Sequence, residues 1–292
     1  MSGSRPVPER GYNSASSDVI SLRNRLEELI EDFATERETF DPSTVHGRIY
    51  TASSIDYDSD SSLVQTASSP SYWGGLWSLT CCKHDMRQEH FFNRYFKEIN
   101  PGVLRPVEPL LIFTCAGKTD SNRPDWSEQR RRWLTSVALV THAFQGMDDY
   151  GRFLLQQGEE VWKNRISTQG SSEHEWARKY GDCHAITSGG NIAGVGTPYP
   201  EHDHVSGSGT TSCGCSSTVD PEYDHVYHED NDRSLLKFVS VSEYWMSWSE
   251  PQFYWTRTNG RSRFGGGRHK RAFHRQRESP EGTVLSELRG TI

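Results

Sequence analysis

The sequence predicts an α+β domain: a bent mixed sheet or small β-barrel, with peripheral helices and one long polar loop. Three observations carry this. Candidate strands and helices do not alternate; the order is strand, strand, short helix, strand, strand, helix, long loop, strand, strand. The aliphatic content is low, with only 33 % hydrophobic residues in 292 and a mean hydropathy of -0.76. Aromatic residues supply 11 % of the chain, including nine Trp, so rings replace aliphatic side chains in the core or line a ligand surface.

Residues 1–17 are small and polar with two prolines, and predict a disordered N-terminus. Residues 18–40 predict an amphipathic helix. Ser17 or Asp18 can cap it, and Ile20, Leu22, Leu26, Leu29, Ile30 and Phe33 fall on one stripe. Such a stripe docks on its own domain or pairs with a second copy as a short dimerising coil. A single domain is expected over 41–277, followed by a tail over 278–292.

Within that domain, "GRIYTASSI" (47–55) has strand character and "DYDSDSSLVQTASS" (56–69) reads as a polar loop. "LWSLTCC" (76–82) is a strand candidate. "HFFNRYFKEI" (90–99) reads as a short helix stopped by Asn100, Pro101 and Gly102. "PLLIFTCAGK" (109–118) and "RRWLTSVALVTHAF" (131–144) are buried strands, and "MDDYGRFLLQQ" (147–157) is a helix. Residues 165–233 are rich in Gly, Ser, Thr, Asp and His and predict a long loop. "SLLKFVSVSEYW" (234–245) and "EPQFYWTRT" (250–258) return to strand.

The net charge is -7, which argues against a globally basic coat but permits a local basic patch. The N-terminus has no apolar stretch of the kind a signal peptide needs, and no run approaches the length of a membrane span. The expectation is a cytoplasmic protein without membrane contact, whose six Cys are thiols or metal ligands rather than disulfides.

Four groups of residues carry candidate chemistry. Trp73 and Trp77 flank a glycine pair, and their rings can stack on a base or pack in the core. Between Pro251 and Arg277 stand eight Arg or Lys and no Asp or Glu. This run, with Arg268, His269, Lys270 and Arg271 after three glycines, is either a phosphate-tracking surface or a solvated tail. His202, His204, Cys213 and Cys215 are zinc-type ligands, but "EHDH" and "CGC" lack the paired spacing of common structural sites. Asp182, His202 and His204 are candidates for an acid/base group. Lys83 and Lys118 end two candidate strands, where a cation can meet a phosphate.

Several blocks, in order, resemble a known family. "YWGGLWSLTCCK" (72–83), "LLIFTCAGK" (110–118), "VALVTHAFQGMDDY" (137–150), "YGDCHA" (180–185), "EHDH" (201–204), "KFVSVSEYW" (237–245) and "GGGRHKRAF" (265–273) are similar to signature blocks of the second type of nucleotide-modification-associated domain. The resemblance spans about residues 47–275. Two departures stand out. Glu108-Pro109 replaces a Gly-Asp pair, and Arg268 is inserted before His269. That phage and microbial family is linked to DNA base modification by gene context.

By element order the blocks also resemble the modified-base-reading, pseudouridine-synthase-associated (PUA-like) β-barrel group, which implies an aromatic cleft holding a base. The reading that follows is a module binding DNA or a nucleotide, with Trp73, Trp77, Lys83, Lys118, Arg268, His269, Lys270 and Arg271 as contacts. An enzyme acting on a nucleotide or base through its His, Asp and Lys residues, and a zinc-stapled interaction protein, are the alternatives.

Overall fold

The computed structural model describes residues 5–11, 18–35, 44–52, 55–57, 63–65, 70–80, 96–116, 131–165, 183, 187–188, 191–192, 236–250, 252–256, 270–276 and 288–290. The architecture is mixed α+β, rich in strand, and no sheet closes into a barrel among the described residues. No helix among them is long and apolar enough to cross a membrane. The chain forms two compact units from interleaved segments.

The first unit comprises Met1–Gly3, Thr66–Arg105 and His142–Val239. Its sheet has the order β5 (Trp77–Leu79), β13 (Lys237–Ser240), β10 (His142–Phe144), β7 (Val103–Pro106), β6 (Phe96–Asn100). β6 corrects the helix expected over 90–99, of which 90–95 lie outside the described residues. Pro101 and Gly102 turn β6 into β7, and Gly102 has φ +76°. That is the conformation the second corner of a type II turn requires, and Pro suits the first. So the residues read as a helix stop make a hairpin. A Cβ on Gly102 would also sit 2.1 Å from Asp149 Oδ2, so the carboxylate and the turn exclude any larger residue.

Two helices follow β10: α2 (Met147–Gln156), as expected, and α3 (Glu159–Arg165), which the sequence reading missed. The His142 and Phe153 rings lie 5.5 Å apart, tilted by 37°, and Phe144 packs on both Phe153 and Tyr150. Inside the expected 165–233 loop, β11 (Thr187–Ser188) and β12 (Asn191–Ile192) form a small hairpin, and the Cys183 N–H donates to the Arg165 carbonyl at 3.0 Å.

The second unit comprises Ser4–Gln65, Pro106–Thr141 and Ser240–Ile292. Its main sheet runs β16 (Lys270–Gln276), β2 (Thr44–Ala52), β8 (Leu110–Ala116), β9 (Arg131–Leu139), β15 (Phe253–Thr256), β17 (Leu288–Gly290), with β14 (Trp245–Ser247) also paired to β9. β2 and β8 are parallel, and the other registered pairs are antiparallel. The long strand expected over 131–144 is thus interrupted at Val140 and Thr141 and serves two sheets.

Helix α1 (Val19–Thr35) covers one face of this sheet. Its Leu22, Leu26, Leu29, Ile30 and Phe33 join Leu111, Phe113, Cys115, Val137, Leu139 and Met246 in one core. Each such side chain contributes about 1.5–3 kcal/mol on burial. The helical stripe is therefore buried within its own unit. Ile20 lies off the stripe at 65 % exposure, because at 3.6 residues per turn it falls about half a turn round the helix from Leu29.

Three further expectations are corrected in this unit. Residues 5–11 of the expected disordered segment are built in: β1 (Arg5–Pro6) pairs with β4 (Leu63–Gln65), Val7 is buried, and Arg10 and Ser247 exchange backbone bonds at 3.1 Å. The expected polar loop over 56–69 carries β4 and the end of β3 (Ile55–Tyr57). The expected tail carries β17. In each case a short polar strand borrows its order from a partner distant in sequence, which no local pattern announces.

Candidate functional site

The aromatic stretch around Trp73 is a rigid turn in the first unit. Trp73–Gly75 form a single 3-10 turn in which Gly74 and Gly75 have φ of 69° and 72°. A Cβ on Gly74 would lie 2.9 Å from Val161 Cγ2 on α3, so glycine is required there twice over. The buried guanidinium of Arg165 holds the turn from within. Its Nε and Nη2 donate to the Trp73 carbonyl at 3.1 and 2.7 Å, and Nη2 also to the Leu76 carbonyl. Its Nη1 donates to the Ser78 hydroxyl and, at 3.2 Å, to the Tyr150 hydroxyl. The Trp73 Nε1–H donates to the Glu160 carbonyl at 3.1 Å and fixes the indole.

This arrangement separates the two tryptophans. Trp77 is fully enclosed, so no face of its ring is open to a base. Trp73 is half-buried and keeps a partly open ring. Trp133, Trp245, Trp248 and Trp255 are core residues, all 2 % exposed or less.

In the second unit, the sheet face opposite α1 carries a row of buried hydroxyls. Thr114 Oγ1 lies 2.8 Å from Thr135 Oγ1 and also bonds Ser136 Oγ, while the Thr135 hydroxyl donates to the Thr114 carbonyl at 3.0 Å. Thr135 reaches this face because the β8–β9 register shifts between Thr114 and Cys115. Ser247, registered with Ser136, donates to the Pro8 carbonyl. These hydroxyls satisfy one another, and they supply polarity rather than a reactive base.

The basic strand β16 lies two strands along the same sheet from β8. His46, Arg48 and Tyr50 of β2 register with Leu110, Ile112 and Thr114 of β8. On the other side of β2, Arg48 stands opposite Arg271 and His46 opposite His274. Neither β2 nor β16 contains an Asp or Glu. Directly opposed like charges destabilise a strand pair; an anion shared between them reverses the sign. Two adjacent strands with cationic or titratable residues in register, and no acid, are chemically suited to phosphate.

A groove of about 610 Å³ also opens in this unit, lined by Glu9, Arg10, Arg25, Asp32, Glu243 and Trp245 among others. The Arg10 guanidinium lies 4.8 Å above the Trp245 ring. Its lining mixes acids with bases, so its charge selects no ligand.

The expected contacts are thus divided. Lys270 and Arg271 belong to the strand pair. Lys83, Lys118, Arg268 and His269 lie outside the described residues, as do Asp182, His202, His204, Cys213 and Cys215. Cys115 and Cys183 are buried cysteines. Among the described residues, no group of three His, Cys, Asp or Glu could hold a metal. Sequence reading missed His46 and Arg48, although the alternation His46, Arg48, Tyr50 within one strand was a visible signal. It also missed Arg165, whose partners lie up to 92 residues away.

No family model, no curated protein and no solved structure matches the chain. The family resemblance rests on the sequence blocks alone.

Proposed function

We propose that the protein is a nucleic-acid-binding module that holds phosphodiester groups along the β2–β16 strand pair. The observation that supports it is the register of Arg48 with Arg271 at the margin of an acid-free strand pair, within a chain of net charge -7. Such a concentration of cations against the chain's own sign is favoured by a polyanion ligand, because phosphate contacts release counterions from the nucleic acid. The block resemblance points the same way, toward DNA and a modified base. The Trp77 ring is enclosed and is not available for base stacking.

The test is a titration of a fluorescein-labelled single-stranded DNA, and of its duplex, by fluorescence anisotropy at several salt concentrations. With Arg48 and Arg271 engaged, the logarithm of the affinity falls with that of salt at a slope of about -1.5 to -2. That is a loss of roughly tenfold between about 50 and about 200 mM salt. Absence of binding, or binding indifferent to salt, overturns the proposal.

A further inference from the structure

The sheet face opposite α1 closes unevenly. On β9, Thr135 and Ser136 are fully buried and Trp133 is 2 % exposed. One strand further out, Tyr254 of β15 is half-buried, and on the next strand, β17, Arg289 is exposed. The three lie in one row, because Tyr254 registers with Trp133 on one side and with Arg289 on the other. None of them joins the core under α1, while Leu134, Phe253, Trp255 and Leu288 beside them do. Strand alternation thus sets the row on the opposite face.

Each member of the row has a distinct part. Trp133 is a fixed wall. Its indole and the Tyr254 ring meet edge to face, with centroids 5.0 Å apart at 62°, a favoured aromatic geometry. The contact braces the tyrosine ring where the face begins to open. Tyrosine suits such a margin, since its ring is apolar and its hydroxyl polar. Arg289 stands one strand spacing away, about 5 Å, and its Nη1 donates to the Leu288 carbonyl at 3.0 Å. A braced, half-open ring beside a surface guanidinium suits a single strand of nucleic acid. A base stacks on the ring, and an adjoining phosphate meets the cation. A duplex keeps its base faces within its own stack and offers the phosphate alone.

We infer that Tyr254 is a base-stacking residue and Arg289 its neighbouring phosphate contact, which together give the protein a preference for single-stranded over duplex nucleic acid. This rests on the reading of the protein as a nucleic-acid-binding module, and it adds a contact on β15 and β17 of the same sheet. Stacking of one base on an aromatic ring changes affinity by about five- to 150-fold. It releases no counterion, so it leaves the salt slope alone. The arginine acts on the slope.

The experiment measures anisotropy of fluorescein-labelled DNA with the full chain, using a single-stranded 20-mer, its duplex, and a strand of equal length made of abasic sites. The wild type is expected to bind the single strand at least about fivefold more tightly than the abasic strand. Tyr254→Leu removes that margin, and it binds the other two probes as the wild type does. Tyr254→Phe, which retains the ring, retains the margin. Arg289→Gln retains the margin and makes the salt slope shallower by about 1. Crosslinking of a bromouracil-substituted 20-mer to the wild type, read by mass spectrometry, needs no variant to fold and is expected to mark Tyr254. Equal binding of the wild type to strands with and without bases overturns the stacking and leaves phosphate binding standing. A margin that persists in Tyr254→Leu, or crosslinks on other residues alone, also overturns it. No binding to any probe overturns the function, and the stacking falls with it.

Discussion

Arg48 of β2 and Arg271 of β16 face each other in register across two antiparallel strands. As a general rule, like charges at directly opposed positions disfavour the pairing of two strands. Arg271→Gln is therefore expected to stabilise the free protein by roughly 0.2–1 kcal/mol while weakening its hold on nucleic acid. Chemical denaturation without ligand checks the first part. A destabilised variant would mean that Arg271 serves the fold rather than a ligand.

The Arg165 clamp on the Trp73 turn gives a second prediction. Arg165→Met leaves the carbonyls of Trp73 and Leu76 and the hydroxyls of Ser78 and Tyr150 without their buried donor. The loss is expected to reach about 3 kcal/mol, several unsatisfied groups at about 1 kcal/mol or more each. Urea unfolding measures it. A loss under about 1 kcal/mol would show that the turn stands without the guanidinium.

Gly74 tests the same turn from outside. Gly74→Ala places a Cβ at positive φ and 2.9 Å from Val161 Cγ2, and should destabilise by about 2 kcal/mol. In a Val161→Ala background the steric part is relieved and only the backbone part, about 1 kcal/mol, remains. An equal loss in both backgrounds would assign the whole effect to the backbone.

These elements differ in how far the sequence announced them. The α1 stripe was legible because Leu22, Leu26, Leu29, Ile30 and Phe33 repeat at helical spacing, and the sheet core was legible because β8 is a nearly continuous apolar run and β9 carries Trp133, Leu134, Val137, Ala138 and Leu139 without a Gly or Pro. The hairpin at Pro101 and Gly102 was not, since a Pro-Gly pair ends a helix or turns a strand equally well. Arg165 reading the carbonyls of Trp73, and Arg271 meeting Arg48, were invisible for a different reason. Both depend on which distant segments pair, and neither residue carries a local pattern that names its partner. The glycine pair beside Trp73 did flag a turn, but not that Trp77 would turn inward while Trp73 stays partly open.

The helix cap makes a pH prediction. The Asp18 carboxylate accepts from the Ser21 hydroxyl at 2.8 Å and from the Ile20 and Ser21 N–H groups at 3.1 and 3.2 Å. The Ser21 hydroxyl bond, then the Ile20 N–H, lower its pKa below the ordinary 3.8. A lowered folded-state pKa adds stability above the ordinary carboxylate range and loses it as pH falls through the folded value. Asp18→Asn keeps a capping side chain without the charge. Its thermal midpoint should lie below that of the wild type at neutral pH, and the gap should close in acid. A gap that stays constant down to about pH 2 would exclude the charge as its source.

The buried hydroxyl row is a structural rather than a reactive feature, and Thr114→Val separates the two. Removing that hydroxyl deprives Thr135 and Ser136 of a partner and should destabilise the protein by about 1–2 kcal/mol. Affinity for DNA should stay unchanged under folding conditions. A selective loss of binding at unchanged stability would instead make the row part of the ligand site.

The decisive measurement is the salt dependence of DNA binding by the Arg48→Gln, Arg271→Gln double variant beside the wild type. If these two registered guanidinium groups hold phosphate, the double-logarithmic slope becomes shallower by about 2 and affinity at about 50 mM salt falls at least tenfold. If the slope and the affinity both match the wild type, the facing arginines do not contact the nucleic acid, and the β2–β16 pair is not its binding surface.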